Sequence, residues 1–600
     1  MRKLVILAEM PPLDGGIVIH SGNISQAKQY LGQEHPYAIY DMRAEGGVCL
    51  NLDAFAIIAG TIQAQGTLYL ICPNWDTLEQ QFDFDSQRWN SGKVITTPNF
   101  YRYFKVLAQK FGFQFQTMQQ TDFSLPPSLN QSSTTEHLTL QQQEIFEKLP
   151  LDSSAIHLIT APRGRGKSTI AGKLAQQLAQ TESVLITARS HSVLPSFWKS
   201  AAQHIPFFAP DHLLQKISAN QIAAKSWLFI DEAASLPLPM LHQLCTYFDK
   251  VVLTTTTHNY EGTGRGFSLK LPQQLTKPYR EWQLSKPLRW DEHDPLEQFI
   301  DELLIMSPPS EVNQYAEFYH LLAEAHYKTT PSDLRRLFDA QDQLLHSRSE
   351  HQRLVGGIWA VPEGGLEPEL AEAIWRGERR PQGNLVAQYL CFQGNLLEAC
   401  QLRSVRISRI AVQSELQKQG IGKRLISDFI LQKIRQNRPL VDYISVSFGL
   451  TEHLLHFWQQ CGFQLVQITP TKEASSGYHS AMMLYPISEQ GQQFVQQATA
   501  QFERDLALQP FYAELQNILP IRPLVRLQMN EQDWRNIEGF ALAQRSLAAS
   551  YVSLTRLYWQ DPRNHGVLAN LWQQFESIQG KKEWLENLRS LLASYLRYAR

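Results

Sequence analysis

The chain has 600 residues, 43% of them hydrophobic and 19% charged, which is ordinary for a folded protein of several domains. Its formal net charge of −2 and pI of about 6.8 exclude a globally basic nucleic-acid binder, so any RNA contact must use local basic patches. The six cysteines form no C-x-x-C pair, which argues against a thiolate zinc site and fits a reducing cytoplasm.

Hydrophobic patterning divides the chain into five regions. Residues 1–121 alternate short apolar runs with turn residues and predict an accessory α/β domain that starts with a strand, not a signal peptide. Residues 122–136 are rich in Ser, Thr, Pro and Gln and predict a linker. Regions 137–330 and 331–487 predict two further α/β modules, and 488–600 a helical tail. No apolar run reaches the roughly 18 residues of a membrane span, so we expect no membrane partner.

The first module carries a glycine-rich loop between a predicted strand, Ala155–Thr160, and a helix. Its sequence, Ala-Pro-Arg-Gly-Arg-Gly-Lys-Ser at 161–168, is a Walker A arrangement with Ala161 in place of the first glycine. Main-chain N–H groups of such a loop cradle phosphates, Lys167 would reach the β- and γ-phosphates, and the Ser168 hydroxyl would bind Mg²⁺. The alternative is a chance glycine-rich turn. The motif does not distinguish ATP from GTP.

An apolar strand, Trp227–Ile230, ends in Asp231 and Glu232, as in a Walker B motif. Asp231 would hold Mg²⁺, and Glu232 would orient the attacking water. An acidic pair at a strand end is otherwise a solvated terminus, but the upstream loop favours the catalytic interpretation.

Weaker signals surround these two motifs. Thr254–Thr257 would sense the γ-phosphate, Glu261–Gly266 is an anion-binding nest or a flexible loop, and Arg289 would stabilise the transferring phosphoryl group or lie on the surface. Upstream, Thr139–Gln142 resembles a helicase adenine-reading motif, with Gln142 as the reader.

In the second module, the predicted strand Arg406–Val412 leads to Gln-Lys-Gln-Gly-Ile-Gly-Lys at 417–423 and then to an amphipathic helix, Arg424–Arg435. This resembles the pyrophosphate loop of the GCN5-related N-acetyltransferase fold, where loop N–H groups and the helix dipole attract the diphosphate of acetyl-CoA. Splayed strands would expose the Val412 amide to polarise the thioester carbonyl. The alternative is a Rossmann-like domain that binds another nucleotide.

Both sites in this order resemble the tRNA(Met) cytidine acetyltransferases, relatives of the eukaryotic RNA cytidine acetyltransferases. The resemblance covers nearly the whole chain. Its motifs are RGRGKS at 163–168, YEGTGRG at 260–266, AHYKTTP at 325–331, IWRGERR at 374–380, RIAV at 409–412, SVSFG at 445–449 and FW at 457–458.

This resemblance implies a RecA-like helicase module at 137–330, an acetyltransferase domain at 331–487 and an RNA-binding tail at 488–600. It implies N4-acetylation of the wobble cytidine of elongator tRNA(Met) with acetyl-CoA as donor and ATP hydrolysis, in the cytoplasm. We expect a monomer without an obligatory protein partner. The alternatives are acetylation of another RNA or a protein amine, and an RNA-remodelling ATPase whose acetyltransferase domain only senses acetyl-CoA.

The resemblance also assigns contacts residue by residue. Those for ATP are Gln142, Ala161, Pro162, Arg163, Gly164, Arg165, Gly166, Lys167, Ser168 and Arg289, together with Asp231 through Mg²⁺. Those for acetyl-CoA are Ile410, Ala411, Val412, Gln417, Lys418, Gln419, Gly420, Ile421, Gly422, Lys423 and Glu452.

Two positions depart from the family pattern. Gln413 stands where many members have His, and Trp458 where related acetyltransferases often have a proton-donating Tyr; an indole is no useful acid. The acetyl-transfer base and acid are therefore unassigned. The candidates are Glu452, His456, Tyr478 and His479, each of which a structural role would also explain.

Two stretches combine basic and aromatic residues, as RNA contacts require. The first is Trp375 with Arg376, Arg379 and Arg380, predicted as a loop near the acetyl cleft. The second lies in the tail and comprises Lys581, Lys582, Trp584, Arg589, Tyr595, Arg597, Tyr598 and Arg600. Solvated charged faces are the alternative for both.

Overall fold

A computed structural model describes the chain except residues 32, 122, 124–137, 202–204, 257–270, 273–274, 310–312, 326–328, 436–439, 474–475, 561–580 and 600. The contacts define a first unit, Met1–Gln341 with Ser475–Gly477, and a second unit, Asp342–Ala474 with Tyr478–Arg600. The predicted linker, except Phe123, and the predicted nest Glu261–Gly266 lie outside the described residues. Within the described ranges, no helix is long and apolar enough to cross a membrane.

The first unit begins with a five-stranded sheet whose neighbouring strands are parallel. In spatial order the strands are Ile17–His20, His35–Asp41, Ile62–Ile71, Lys3–Leu7 and Phe115–Gln116. A small four-stranded sheet consists of Arg43–Ala44, Gly47–Val48, Phe82–Asp83 and Ile95–Thr96. The helices are Leu52–Ala59 and Pro98–Lys110, with 3-10 turns at Ile24–Tyr30, Leu78–Gln80, Phe84–Arg88 and Met118–Gln120. Central strands are buried on both faces, so the predicted α/β architecture is confirmed.

The second part of this unit is another parallel sheet, whose strand order is Val184–Thr187, Trp227–Ile230, Lys250–Thr256, Ile156–Ala161, Tyr279–Gln283. Four of these strands are predicted by apolar runs, at Ala155–Thr160, Val184–Thr187, Trp227–Ile230 and Val251–Thr255. The fifth, Tyr-Arg-Glu-Trp-Gln, is missed because it is an edge strand that buries only Trp282. The helices and 3-10 turns are Leu140–Lys148, Leu149–Leu151, Lys167–Leu178, His191–Val193, Pro195–Ser200, Pro210–Ser218, Ala233–Ser235, Leu238–Tyr247, Pro295–Leu303, Gln314–Ala325 and Pro331–Asp339.

The helix Pro331–Asp339 belongs to the first unit, although the sequence boundary at 331 assigns it to the acetyltransferase domain. The reason is a buried ion pair between Arg335 and Asp83, both fully enclosed, with Arg335 also bonded to Thr97. A buried charge of this kind ties its helix to the domain that supplies the partner.

The second unit contains a six-stranded sheet in the order Leu344–Glu350, Arg353–Gly364, Arg403–Val412, Tyr443–Gly449, Ser480–Pro486, Gln464–Ile468. Its strands pair antiparallel except for Arg403–Val412 with Tyr443–Gly449, which are parallel. Apolar patterning predicts five of these strands, at Leu354–Val361, Arg406–Val412, Tyr443–Phe448, Phe463–Ile468 and Ser480–Tyr485. It misses the edge strand Leu344–Glu350, whose alternate side chains are exposed. The helices and the 3-10 turn around the sheet are Pro368–Trp375, Leu385–Phe392, Glu398–Gln401, Ser414–Leu416, Ile421–Arg435 and Glu452–Gln460.

The tail is helical, as its periodicity predicts. Its helices are Glu489–Leu506, Tyr512–Leu515, Glu531–Leu542, Leu547–Gln560 and Lys581–Ala599. The last three share a core formed by Ile537, Phe540, Leu554, Leu557, Leu588 and Leu592. Arg556 is fully buried and pairs with Asp533 at 3.0 Å and Asp505 at 2.7 Å, which satisfies its charge.

Two candidate active sites and a candidate RNA face

The glycine-rich loop joins the central strand Ile156–Ala161 to the helix Lys167–Leu178. Gly164 and Gly166 have φ of +77° and +76°, a conformation that side chains disfavour. Ala161 is the last, fully buried residue of the strand and needs no positive φ. The alanine at the first glycine position is therefore compatible with the loop. The loop leads directly into the N-terminus of the helix Lys167–Leu178.

Lys167 is only 7% exposed, and its ammonium lies 3.4 Å from the carbonyl oxygen of Pro162. Burial lowers the pKa of Lys167, while the nearby carboxylates of Glu232 and Asp231 oppose this shift. A buried cation with one long hydrogen bond is suited to bind an anion that enters the loop.

Oxygen atoms of three side chains meet where the loop approaches the acidic strand end. The Ser168 hydroxyl lies 3.1 and 3.0 Å from the two carboxylate oxygens of Asp231, and the Thr254 hydroxyl donates to the same carboxylate. Burial raises the pKa of Asp231, whereas the hydrogen bond from Thr254 lowers it. Hydroxyl and carboxylate oxygens are the donors that Mg²⁺ prefers, so Ser168 and Asp231 fit the predicted metal.

Glu232 adopts φ of +50°, which is unusual for a residue with a side chain. Its main-chain N–H donates to the Thr254 hydroxyl at 3.1 Å. Its carboxylate accepts from the Thr256 hydroxyl at 3.0 Å and the Thr256 N–H at 3.3 Å. Backbone strain and these bonds hold the carboxylate in one orientation beside Asp231. Thr257, the last residue of the predicted sensor strand, lies outside the described residues.

The side chain of Gln142 supports the loop instead of facing a base. Its amide nitrogen donates to the carbonyl oxygens of Arg165 and Gly166, both at 3.4 Å, and its amide oxygen caps the helix at Thr139. Only 3% of the residue is exposed. The predicted adenine contact does not fit this geometry, because the capping box already engages the amide. Gln141 likewise bonds to Ser285.

The arginines of this site have different partners. Arg165 forms a bidentate ion pair with Glu297 at 2.5 and 3.1 Å, so only its main chain is suited to contact phosphate. Arg289 lies beside the loop: its Cδ is 4.0 Å from where a Cβ on Gly164 would stand, and its Nε is 3.0 Å from Glu34. Neither Glu34 nor Glu297 lies in a motif, so no sequence pattern predicts that they pair with these arginines.

The second site opens where two parallel strands separate. Pairing of Arg403–Val412 with Tyr443–Gly449 runs from Ser404 opposite Tyr443 to Ile407 opposite Val446. Within these strands no further pairs join them, while Ile410, Ala411 and Val412 stay paired to Arg353–Gly364 on the other side. The register between the two parallel strands thus ends at Ile407, before Ile410–Val412, which is the predicted splay.

The loop 417–423 follows the splayed strand, and its last three residues already form the first turn of the helix Ile421–Arg435, which begins earlier than the predicted Arg424. The amide of Gln417 donates to the Val412 carbonyl oxygen at 3.1 Å, which ties the loop to the strand end. Lys418 and Gly420 have φ of +61° and +80°, so the backbone curls before the helix begins. Gln417, Lys418, Gln419 and Gly420 are exposed, Ile421 is buried, and the position of a Cβ on Gly422 is 3.4 Å from Phe457. Lys423 is also exposed.

The two departures from the family pattern have structural partners. Gln413 donates its amide to the Leu354 carbonyl oxygen at 2.6 Å and its N–H to Val355 at 3.1 Å, which extends the strand pairing. Trp458 is 3% exposed and packs against Phe448 and Phe463. Neither is placed to carry a proton.

The candidates for the acetyl-transfer acid and base differ in their solvent exposure. Glu452 and His456 are exposed on the helix Glu452–Gln460. His479 is 5% exposed, with Nδ1 2.7 Å from the Thr469 carbonyl oxygen. Burial raises the pKa of Tyr478. The acid and the base stay unassigned.

The basic stretch after Trp375 is a turn that follows the helix Pro368–Trp375. Trp375 itself is 4% exposed and packs in a core, so its ring does not contribute to the basic, aromatic surface predicted for this stretch, because apolar burial of the ring outweighs its exposure. Arg376 pairs with Glu378 at 2.7 Å, and Arg379 and Arg380 are exposed.

The tail packs against this turn. The Gln544 N–H donates to the Arg376 carbonyl oxygen at 2.9 Å, and buried Arg545 donates to the Trp375 carbonyl oxygen at 2.5 Å. Arg589 donates to the carbonyl oxygens of Phe540, Ala543 and Arg545. The fold thus brings the two predicted RNA stretches together, and it engages Arg589 in main-chain bonds that do not fit a phosphate contact.

The remaining tail candidates differ in exposure. Lys582 and Arg597 are exposed, and Trp584 and Tyr595 pack against the tail core. The side chains of Lys581, Tyr598 and Arg600 lie outside the described residues. Residues 521–530 form a further basic segment, which contains no helix or strand. No sequence motif marks this segment, so it is absent from the predicted RNA contacts. Arg522 and Arg526 are exposed there beside Leu524 and Val525.

Comparison with protein families matches nearly the entire chain. Residues 2–115 match the tRNA(Met) cytidine acetyltransferase TmcA N-terminal family, and 158–307 match the helicase domain of RNA cytidine acetyltransferase NAT10/TcmA. Residues 317–434 and 426–488 match GNAT acetyltransferase 2, and 491–600 match a tRNA-binding domain.

Curated relatives are similar over most or all of their length. A tRNA(Met) cytidine acetyltransferase TmcA of Actinobacillus pleuropneumoniae serotype 5b (strain L20) is 91% identical over 99% of this chain and 100% of its own. Proteins of the same name from Haemophilus ducreyi and Haemophilus influenzae are 58% and 36% identical, over 99% and 95% of this chain and 100% and 94% of their own. By its fold, its two sites and these similarities, the chain belongs to the tRNA(Met) cytidine acetyltransferase family.

Proposed function

We propose that this protein acetylates N4 of the wobble cytidine of elongator tRNA(Met) in the cytoplasm, with acetyl-CoA as donor and ATP hydrolysis as a coupled step. The observation that carries the proposal is the presence on one chain of a phosphate loop with an acidic strand end and a splayed sheet with a pyrophosphate loop. The names of its relatives supply the substrate.

In the first site, the N–H groups of loop 161–168 bind the phosphates, and Lys167 neutralises their charge. Ser168 and Asp231 are the residues that would hold Mg²⁺, which supplies charge neutralisation of the phosphate oxygens when bound. Glu232, oriented by Thr254 and Thr256, positions the attacking water. Arg289 stabilises charge on the transferred phosphoryl group.

In the second site, the loop 417–423 binds the diphosphate of acetyl-CoA through N–H groups at the start of the helix Ile421–Arg435. The unpaired edge at Ile410–Val412 lies beside the thioester and polarises its carbonyl. The cytidine N4 then attacks the carbonyl carbon, the C–S bond breaks, the thiolate of CoA leaves with a proton, and N4 loses one. Because the N4 lone pair is delocalised into the ring, positioning carries much of the rate.

Acetyl-CoA is already an activated donor, so ATP is not needed for acyl transfer itself. A stacked anticodon base costs a few kcal/mol to extract from its loop. ATP turnover therefore remodels the anticodon loop so that the cytidine reaches the thioester. The basic turn with Arg379 and Arg380, and the tail residues Lys582 and Arg597, contact the RNA backbone.

The test is incubation of the purified chain with radiolabelled acetyl-CoA, bulk bacterial tRNA and ATP, followed by nucleoside analysis. Labelled N4-acetylcytidine that requires ATP is the expected result. The Lys167→Ala variant should lose RNA acetylation and still bind acetyl-CoA. RNA-stimulated ATP hydrolysis without label in RNA would contradict the proposal.

A further inference from the structure

The N-terminal domain supplies a carboxylate to the margin of the nucleotide site. Glu34 precedes the strand His35–Asp41, and its carboxylate oxygen lies 3.0 Å from Nε of Arg289. The two side chains are 47% and 27% exposed, so water still reaches the pair. The Arg289 side chain lies against the phosphate loop, with Cδ 4.0 Å from the Cβ position on Gly164.

The surroundings of Arg289 are otherwise positively charged. Arg163 of the phosphate loop and Arg2 both disfavour its charge, and burial lowers the pKa of Arg289 further. Arg2 has its own partner, because its guanidinium pairs with buried Asp294 at 2.9 Å. The Glu34 carboxylate opposes this shift in pKa and favours the Arg289 charge. The Glu34 carboxylate thus partly neutralises the charge of Arg289, which has the positive charge of Arg163 nearby.

We propose that Glu34 sets the nucleotide affinity of the ATP site, by pairing with Arg289 until a triphosphate takes over that charge. This inference rests on the proposed function, which places ATP in the loop 161–168. A bound triphosphate brings several negative charges to Arg163 and Arg289, so the Glu34 carboxylate then becomes an unfavourable like charge. Glu34 is a positioning residue that acts through Arg289, and it gives the N-terminal domain a direct role in nucleotide binding.

The direction of the change in nucleotide affinity follows from the replacement of Glu34 by the triphosphate as the anion beside Arg289. Removing the Glu34 charge should strengthen nucleotide binding, because the Glu34 carboxylate then no longer competes with the triphosphate for Arg289. Since the pair is partly exposed, solvent screening limits the gain to about two- to fivefold in Kd. High salt should reduce the gain further, because the Debye length falls to about 3 Å at 1 M.

The test uses the full chain with Glu34→Gln. Kd for a non-hydrolysable ATP analogue and the kinetics of tRNA-stimulated ATP hydrolysis are measured at low and high salt. We expect an about two- to fivefold lower Kd at low salt, a lower KM for ATP at an unchanged kcat, and a smaller decrease in Kd at high salt. The matched control is Glu302→Gln, which removes another carboxylate of this unit, paired with Lys110 at 2.8 Å.

The same Glu34→Gln change is also made in an Arg289→Gln background, where it should have no effect on Kd. Unchanged or weaker analogue binding in Glu34→Gln would overturn the inference, as would an equal gain without Arg289. If the unmutated chain binds neither ATP nor its analogue, the proposed function fails together with this inference. If the unmutated chain binds the analogue but Glu34→Gln does not bind it more tightly, only this inference fails.

Discussion

The hydroxyl oxygen of Ser168 lies 3.0 Å from a carboxylate oxygen of Asp231, although 63 residues separate them in the chain. They meet because Ile156–Ala161 and Trp227–Ile230 both pair with the strand Lys250–Thr256 and run parallel to each other. Loops that follow parallel strands open at the same edge of the sheet, so the phosphate loop and the acidic pair form one site.

Asp231→Asn should abolish ATP hydrolysis and leave the acetyltransferase site intact. The change removes a charged oxygen donor for Mg²⁺, and we expect ATPase kcat to fall by more than about a hundredfold. Acetyl-CoA affinity, measured by calorimetry, should stay within error of the unmutated chain. A parallel loss of acetyl-CoA binding in a folded variant would contradict two separate sites.

Gly420→Ala should raise KM for acetyl-CoA. The residue has φ of +80°, and no atom of the described residues lies within 4 Å of a Cβ placed there, so the penalty is one of backbone conformation. A left-handed conformation costs a non-glycine residue about 1–2 kcal/mol, which corresponds to roughly a tenfold loss of affinity. The matched control is Gly15→Ala, at φ of +86° with similar open space in the N-terminal domain. An unchanged KM for Gly420→Ala would remove the loop from the acetyl-CoA site.

Arg379→Ala combined with Arg380→Ala should weaken tRNA binding and lower its salt dependence. Each lost phosphate contact reduces the slope of log K against log salt by about one. Arg589→Ala should instead lower the melting temperature, because its guanidinium bonds to three carbonyl oxygens. The assignment fails if Arg589→Ala alone lowers tRNA affinity at full stability while the double variant does not.

The first unit should lose stability in mild acid through His157. This buried ring stacks on Trp227 and accepts a hydrogen bond from the Trp282 indole at 3.3 Å. Burial, with the nearby Lys250 charge, lowers the pKa of His157 to about 4. The unfolded chain binds a proton near pH 6.5 and the folded chain does not, so stability falls as the pH drops from about 6.5 towards 4.

The expected loss between pH 7.5 and 5.5 is about 1.4 kcal/mol of unfolding free energy. His157→Gln keeps an acceptor for Trp282 but cannot titrate, so denaturant unfolding of this variant should show a smaller pH dependence. An identical pH profile for the variant and the unmutated chain would show that His157 does not carry the effect.

Much of this protein can be predicted from the sequence, because its sites lie in local motifs. A strand followed by a glycine-rich loop and a helix is a contiguous signal, and both the loop 161–168 and the loop 417–423 have the expected flanking elements. The buried strands Trp227–Ile230 and Val184–Thr187 are almost entirely apolar and are found where predicted, whereas the edge strands Tyr279–Gln283 and Leu344–Glu350 have many exposed residues and are missed.

The tertiary structure decided which side chains are available to a ligand. Gln142, Trp375 and Arg589 have residue types suited to binding, yet each is engaged by distant parts of the chain. Glu34 has no motif around it, yet in the folded chain its carboxylate forms an ion pair with Arg289. Local spacing determines loops and helix starts, because those depend on nearby residues; burial and pairing depend on residues far apart in sequence, and only the packed fold brings them together.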